Sequence, residues 1–256
     1  MSIDVSEQAN WANCLNQISP ISLAGEIYRV VESQEKVATN ALVDTLEEQA
    51  LLEEMLDKTK PGIPVAAQDF SYLLFTPFRY PPLKYGSRFG QRFEPSLFYG
   101  SRTIATALAE TAYYRLHFWF DMSVPPPAGK LSTQHTAFTV EIKTDKALRL
   151  QNEPFVNYEA SLMHKSSYQQ TQSLGTMMRE SNIEAFEYTS ARDKNKGLNV
   201  GLFSPAAFSQ NKESSVMSVL CSTQDQGVEF LDDDGHVYLY RYETFLDKGE
   251  FPKLSG

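Results

Sequence analysis

The irregular order of strand-like and helix-like patterns constrains the fold of this chain more than any other feature. Short β-type runs at about 27–31, 135–142, 183–190, 197–203 and 236–245 are separated by helical patterns at about 33–58, 103–118 and 158–180. A doubly wound parallel sheet needs regular alternation of strands and helices, which this chain lacks. The order therefore predicts an α+β fold in which helices are inserted between short strands of mixed direction.

The longest helical pattern runs from about 33 to 58. Ser33 suits its N-cap, Leu42 and Leu46 share one face, and the letters KPG at 60–62 end it. This pattern predicts one continuous helix.

Two regions are predicted along the chain. Residues 1–65 hold a strand and the long helix, packed on or part of the core, and residues 66–256 hold the main domain, so that the whole chain is predicted to form one compact domain. Within the main domain the stretch 70–101 is rich in aromatic residues, proline and glycine. It predicts short strands and tight turns rather than helix.

Composition excludes several classes of protein. Apolar residues make up 42% of the 256 residues and the net charge is −9, which indicates a globular chain without a general basic field for nucleic acid. Cys14 and Cys221 stand far apart without metal-ligand companions, as expected in a reducing cytoplasm. No secretion signal or membrane span is predicted.

Three groups of residues are candidates for chemistry, and each has a structural alternative. Glu110 stands opposite the apolar stripe of its helix, where spacing alone favours a solvated glutamate. Ser190 follows a strand in a turn, where it is either a ligand contact or an ordinary turn residue. The third group consists of arginines among aromatic residues, which suit a nucleotide with its phosphates and flat bases, or else a core with arginines over its rings. These arginines are Arg79, Arg88, Arg92 and Arg102.

Other catalytic motifs are missing from the sequence. His-Glu-X-X-His, Gly-X-Ser-X-Gly, the glycine-rich dinucleotide fingerprint and the phosphate-binding P-loop are not present. Metal-dependent hydrolysis, a serine triad, hydride transfer and ATP-driven chemistry are therefore disfavoured.

The stretches GSRFGQRFEPSLFYGSRTIATALAE and IEAFEYTSARDKNKGLNVGLFSP together resemble the RES-domain proteins, named for an Arg, a Glu and a Ser. The resemblance covers about residues 26–210, including IYRVVESQ and YLLFTPFRYPP. Its specific part is an Arg-Phe, a Phe-Tyr about ten residues on, and Thr-Ala-X-Ala-Glu. RES proteins are best known as toxins of bacterial RES-Xre toxin-antitoxin pairs.

This resemblance implies an ADP-ribosyltransferase-like core and an activity. NAD⁺ would be the substrate, with no metal or other cofactor, and the nicotinamide-ribose bond would be split by hydrolysis or phosphorolysis. Transfer of ADP-ribose to a protein is an alternative, although Leu108 and Ala109 offer no second acidic residue before Glu110. A non-enzymatic nucleotide-binding module is a third possibility.

The resemblance also assigns residues. Arg88 falls on the motif arginine, with Arg92 as a competitor, and Tyr99, Glu110 and Ser190 fall on the other catalytic positions. Glu110 would bind the ribose hydroxyls, Arg88 would grip the phosphates, Tyr99 would confine the nicotinamide, and Ser190 would orient the carboxylate or the ribose. The residues expected to contact NAD⁺ are Arg29, Arg79, Arg88, Arg92, Tyr99 and Ser101.

The expected partner is a protein that neutralises the toxin. It is either an Xre-type antitoxin or an unrelated immunity protein, and neither nucleic acid nor membrane is expected to bind directly. The expected location is the bacterial cytoplasm, and delivery as a secreted effector stays open. The proline-rich letters SVPPPAG and about 45 residues after the last motif depart from compact members, and their role is not predicted.

Overall fold

The computed structural model describes residues 9–33, 43–82, 84–124 and 126–252. The helices are α1 (Trp11–Asn16), α2 (Leu46–Thr59), α3 (Tyr72–Arg79), α4 (Ile104–Asp121), α5 (Glu159–Leu162) and α6 (Gln169–Glu180). The strands are β1 (Ile21–Glu32), β2 (Phe98–Ser101), β3 (Leu131–Arg149), β4 (Ala185–Thr189), β5 (Leu198–Leu202), β6 (Ser215–Gln224), β7 (Gly227–Asp232) and β8 (Val237–Arg241). No helix within these ranges is long and apolar enough to cross a membrane.

The strands of the described residues form one eight-stranded sheet in the order β1-β2-β5-β4-β3-β6-β7-β8. All neighbours are antiparallel except β3 and β4, which are parallel over Ala147–Arg149. Helices lie between strands in the chain without a regular repeat. The predicted α+β class is confirmed.

The long strand β3 joins two parts of the sheet. Its 135–147 portion pairs with β1, which also pairs with β2 and so brings the sheet back upon itself. Its 131–139 portion pairs with β6, and β7 and β8 follow as a simple antiparallel extension that we call the meander (β6, β7 and β8). Threonine recurs along β3, as suits a half-buried strand.

Helix α4 lies between these two parts. Its Leu108, Ala112 and Leu116 are fully buried and belong to one core cluster with Val228 and Phe230 of the meander. A separate cluster beneath β1, β2 and β5 is built around aromatic and aliphatic residues such as Phe98 and Phe138. The small alanines of α4 let the helix approach the sheet closely.

The predicted continuous helix over 33–58 is wrong. The backbone N–H of Ser33 donates to the carbonyl of Gln134 at 2.9 Å and so continues the pairing of β1. Residues 34–42 lie outside the described part of the chain, and α2 begins only at Leu46. The cause is local, since Thr45 Oγ1 accepts from the backbone N–H of Glu48 at 3.1 Å, as in a capping box.

Two further predictions of secondary structure are only partly right. The stretch 70–101 does contain the short strand β2, but it also contains α3, which buries Leu74 despite carrying Pro77 in its last turn. The predicted helix over 158–180 is two helices, α5 and α6, because the carbonyls of Leu162 and His164 accept from Arg88 instead of continuing a helix. The reason is a contact across 74 and 76 residues of chain, which local spacing does not reveal.

The remaining elements agree with the prediction or extend it. Helix α4 and strands β4 and β5 lie where they were predicted, and the predicted strand at 135–142 is the middle of the longer β3. No strand was predicted for 215–232, where β6 and β7 lie. The predicted strand at 236–245 is β8 followed by a 3-10 turn, Tyr242–Phe245. The boundary at residue 65 stays a prediction, although β1 pairs with β3 across it.

Candidate active site

A cavity of about 460 Å³ opens between α4, β1, β2 and the turn at 85–88. Five of the predicted site residues line it: Arg29, Arg88, Tyr99, Ser101 and Glu110. Residues distant in sequence meet here because the sheet returns upon itself beside α4.

Glu110 points its carboxylate at two donors on neighbouring strands and turns. Its Oε1 accepts from the hydroxyl of Ser190 at 2.7 Å and from Nδ2 of Asn199 at 2.6 Å. No donor among the described residues reaches the other oxygen, Oε2. The solvated glutamate that spacing favoured is therefore wrong, and one carboxylate oxygen is held by two donors while the other accepts no hydrogen bond from the described residues.

Ser190 is fully buried, and the partners of its hydroxyl determine to which acceptor it donates. Its Oγ accepts from the backbone N–H groups of Arg192 at 3.1 Å and Asp193 at 3.0 Å. Both lone pairs are then occupied, so the hydroxyl donates to Glu110. The turn after β4 therefore orients the carboxylate, whereas Ser190 itself does not line the cavity.

Asn199 is the second anchor of Glu110, and the sequence analysis missed it. It lies on β5 directly opposite Ser101 of β2. The Ser101 hydroxyl donates to Asn199 Oδ1 at 2.7 Å, which sets the amide so that its NH₂ faces Glu110. A polar residue at a buried position of the strand GLNVGLF was the available signal.

Arg88 brings a buried positive charge to the same cavity. Its Nη1 donates to the carbonyls of Leu162 at 3.0 Å and His164 at 3.1 Å, and its guanidinium lies 4.8 Å from the Tyr168 ring centroid. Burial lowers the pKa of Arg88, but Tyr168 and Glu110 offset this effect and leave that pKa raised. Arg88 forms no ion pair within the described residues.

Arg29 supplies a second cation without a carboxylate partner among the described residues. Its Nη1 donates to the carbonyl of Tyr99 at 2.6 Å, its guanidinium lies over Phe98, and its buried Nε has no partner in the described structure. Burial lowers the pKa of Arg29 to about 10, so the side chain is still protonated at neutral pH. Two arginines facing one carboxylate make the cavity suitable for a phosphorylated ligand.

Tyr99 supports the turn that carries Arg88. Its hydroxyl oxygen accepts from the backbone N–H of Phe89 at 3.0 Å and shares a hydrogen bond with Ser87 Oγ at 2.9 Å. Burial raises the pKa of Tyr99 to about 12, so the phenol is neutral. Its predicted contact with nicotinamide stays a prediction.

The turn itself depends on two glycines. Gly86 has a φ of +74°, which only glycine adopts easily, and any Cβ there would lie 2.3 Å from the carbonyl oxygen of Gly90. Gly175 of α6 packs directly on the backbone of Phe89, where a Cβ would lie 1.9 Å from its carbonyl oxygen. The backbone beside Arg88 is thus held on both sides.

Comparison with known proteins assigns the family. The family model described as RES domain matches residues 63–221, which include Arg88, Glu110, Ser190 and Asn199. The chain belongs to the RES-domain family.

Other comparisons add less. A solved structure entitled "Crystal structure of the M.tuberculosis MbcT-MbcA toxin-antitoxin complex" is similar over 81% of this chain and 91% of that chain, with 8% identity and a TM-score of 0.49. Among curated proteins, no sequence matches this RES chain.

The three other arginines that the sequence grouped with Arg88 do not line the cavity of this RES domain. Arg92 lies over the ring of Phe93, and Arg79 Nε donates to the carbonyl of Pro61 at 2.6 Å. Neither lines the cavity, so their assignment to the site of Glu110 is not supported by its geometry. Arg102 pairs with Glu187 at 2.7 Å.

Aromatic side chains form much of the cavity wall in this RES domain. The sequence analysis assigned none of the lining tyrosines Tyr28, Tyr85, Tyr114, Tyr168 and Tyr188 to the site. Tyr114 lies one helical turn after Glu110, a spacing that was visible in the sequence. No group of three His, Cys, Asp or Glu side chains in the described ranges is placed to hold a metal.

Proposed function

We propose that this RES-family chain consumes NAD⁺ by breaking the bond between nicotinamide and its ribose. The observation that carries the proposal is the carboxylate of Glu110, with Oε1 held by Ser190 and Asn199 and Oε2 without a donor among the described residues. A carboxylate held in this way is suited to bind a ribose hydroxyl at a fixed place. NAD⁺ is then the substrate, and the reaction needs no further cofactor.

The chemistry requires a fixed negative charge beside the ribose. When the C1′–N bond breaks, nicotinamide takes the bonding electron pair and leaves neutral, so no proton has to be donated to it. Positive charge develops on the ribose, and Glu110 stabilises that charge more in the transition state than in the ground state. Water or inorganic phosphate then bonds to C1′, and a water nucleophile releases one proton to the solvent.

The arginines are proposed to hold the phosphates. Arg29 and Arg88 line the same cavity as Glu110 and have no ion pair among the described residues. A pyrophosphate bound between them would place the adjacent ribose next to Glu110. The contribution of the enzyme is mainly orientation and electrostatics.

A toxin that depletes NAD⁺ is the biological role we propose. It is supported by membership of the RES family and by the motif residues that meet in the cavity. On the same basis we propose a neutralising partner protein, either an Xre-type antitoxin or an immunity protein, acting in the bacterial cytoplasm.

The proposal is tested by incubating the purified protein with NAD⁺, with and without phosphate, and separating the products. We expect free nicotinamide with ADP-ribose for hydrolysis, or with a phosphorylated ADP-ribose for phosphorolysis. Intact NAD⁺ would overturn the proposal.

Glu110→Gln keeps the size of the side chain and removes its charge. We expect it to lower kcat about a thousandfold, in line with the loss of a transition-state charge contact. Glu229→Gln on the exposed face of β7 is the matched control and should be as active as the parent. Full activity of Glu110→Gln would favour the non-enzymatic nucleotide-binding module.

A further inference from the structure

A third buried arginine lies behind the cavity without lining it. Arg192 is 3% exposed, and its guanidinium lies 3.6 Å from the ring centroid of Tyr113. Its Nη1 is buried without a hydrogen-bond partner, and no carboxylate pairs with it in the described part of the chain. Burial of a cation without an ion pair lowers the free energy of unfolding, so we expect Arg192 to have a role other than stabilising the fold.

Arg192 contacts both the anionic and the cationic side of the site. Its backbone N–H donates to the Ser190 oxygen that in turn donates to Glu110. Its Nη2 donates to the hydroxyl of Tyr168 at 3.0 Å, and the Tyr168 ring lies against the Arg88 guanidinium. One residue thereby links the carboxylate anchor to the cation that faces the cavity.

The segment between α5 and α6 holds Arg88 and Arg192 together. The carbonyls of Leu162 and His164 accept from Arg88, and the carbonyl of Lys165 accepts from Arg192 Nη2 at 2.5 Å. Each arginine therefore fixes the segment that fixes the other.

We infer that Arg192 and Tyr168 are positioning residues that hold the Arg88 guanidinium where the pyrophosphate of NAD⁺ binds. The inference rests on the proposed function. Arg192 donates to the Tyr168 hydroxyl and so fixes the position of the far end of the ring, and the ring then limits the movement of Arg88. Arg192 itself does not touch the substrate.

The first test compares Arg192→Lys and Tyr168→Phe with the parent in NAD⁺ cleavage. Because Arg88 contacts the phosphates in the ground state and the transition state alike, its displacement should raise KM and leave kcat nearly unchanged. We expect KM to rise about tenfold for Arg192→Lys and less for Tyr168→Phe, which keeps the ring. Unchanged KM in both variants overturns the inference.

Arg115→Lys is the matched control. Arg115 is also buried beside an aromatic ring, but it pairs with Glu32 at 2.8 Å and does not line the cavity. Its substitution should leave KM and kcat as in the parent. An equal rise in KM for Arg115→Lys would mean that loss of any buried arginine has this effect, and would overturn the inference.

A double-mutant cycle separates positioning from a structural role. If Arg192 acts through Arg88, Arg192→Lys should change KM little once Arg88 has been changed to Lys. If the rise in KM of the double variant equals the product of the rises in the two single variants, the inference is overturned.

Binding of ADP-ribose, followed by calorimetry, provides a readout that does not depend on cleavage. We expect Arg192→Lys to bind it about tenfold more weakly than the parent. If the parent leaves NAD⁺ intact, the proposed function fails while this comparison still decides the inference. Equal affinities, or no binding by the parent, overturn it.

Discussion

Helix α4 contacts two regions, one with a network of hydrogen bonds around its glutamate and one with an apolar core. In the cavity region, β2, β5 and the turn after β4 bring Ser190 and Asn199 to Glu110, and each is held by a further hydrogen bond. In the meander, the same helix packs on Val228 and Phe230, which only fill space. The difference indicates that stability and chemistry can be altered separately, although one helix serves both.

The largest change in stability is expected in the meander. Phe230 is fully buried within the cluster of α4 and the meander, so Phe230→Ala leaves a cavity as well as losing apolar contacts. We expect the free energy of unfolding in urea to fall by about 3–5 kcal/mol. The kcat for NAD⁺, measured where the variant is still folded, should be as in the parent. A lowered kcat in the folded variant would show that the two regions are not separable.

In the cavity region, loss of one hydroxyl should lower kcat more than it lowers stability. Ser190→Ala removes a donor to the Glu110 carboxylate and the acceptor of two backbone N–H groups. We expect kcat for NAD⁺ to fall about fiftyfold, in line with a lost hydrogen bond to a charged group. Thr223→Val removes a buried hydroxyl from β6 and is the control, since its kcat should not change. Equal kcat values in the two variants would contradict the proposed difference between the cavity region and the meander.

A pH dependence of stability is expected from His135, which lies on β3 where that strand pairs with β6 of the meander. Burial first, and Arg115 second, lower the pKa of His135 to about 4. Because the unfolded chain binds the proton more readily, stability is full above the ordinary pKa near 6.5 and falls as the pH drops from there towards 4. We expect a loss of about 3 kcal/mol over that interval.

Urea unfolding across this pH range, with His135→Gln as the control, measures the contribution of His135. The variant should lose less stability than the parent as the pH is lowered. Identical pH profiles would contradict the assignment to His135.

The fold class was predictable from element order, whereas the partners of Glu110 were not. Spacing within α4 placed Glu110 on a polar side, and its two donors come from 80 and 89 residues further along the chain. Only the family resemblance connected Ser190 with Glu110, because local periodicity carries no information about such distant contacts. Asn199 belongs to the same network and escaped notice because one polar residue in an apolar strand has many explanations.

Some features that were predicted wrongly do have a signal in the sequence. Thr45 and Glu48 have the spacing of a capping box and mark the start of α2, a signal that the sequence analysis did not use. The break between α5 and α6 had no local signal in the sequence. It depends on Arg88, which donates to carbonyls that would accept backbone N–H groups in a continuous helix. Helix ends set by local contacts are thus readable from sequence, and those set by tertiary contacts are not.

The smallest effect is expected at Arg92, which tests whether the cavity region is confined to the residues that line it. The letters GSRFGQRF place Arg88 and Arg92 four residues apart, but only Arg88 lines the cavity, while Arg92 lies over the exposed ring of Phe93. We expect Arg92→Gln to change kcat/KM for NAD⁺ by less than about twofold, as is usual for an exposed substitution away from a site. Arg88→Gln, measured in the same assay, should lower kcat/KM far more because it removes the buried cation that faces Glu110. A larger loss for Arg92→Gln than for Arg88→Gln would transfer the motif arginine to Arg92 and would require the phosphates to bind outside the cavity.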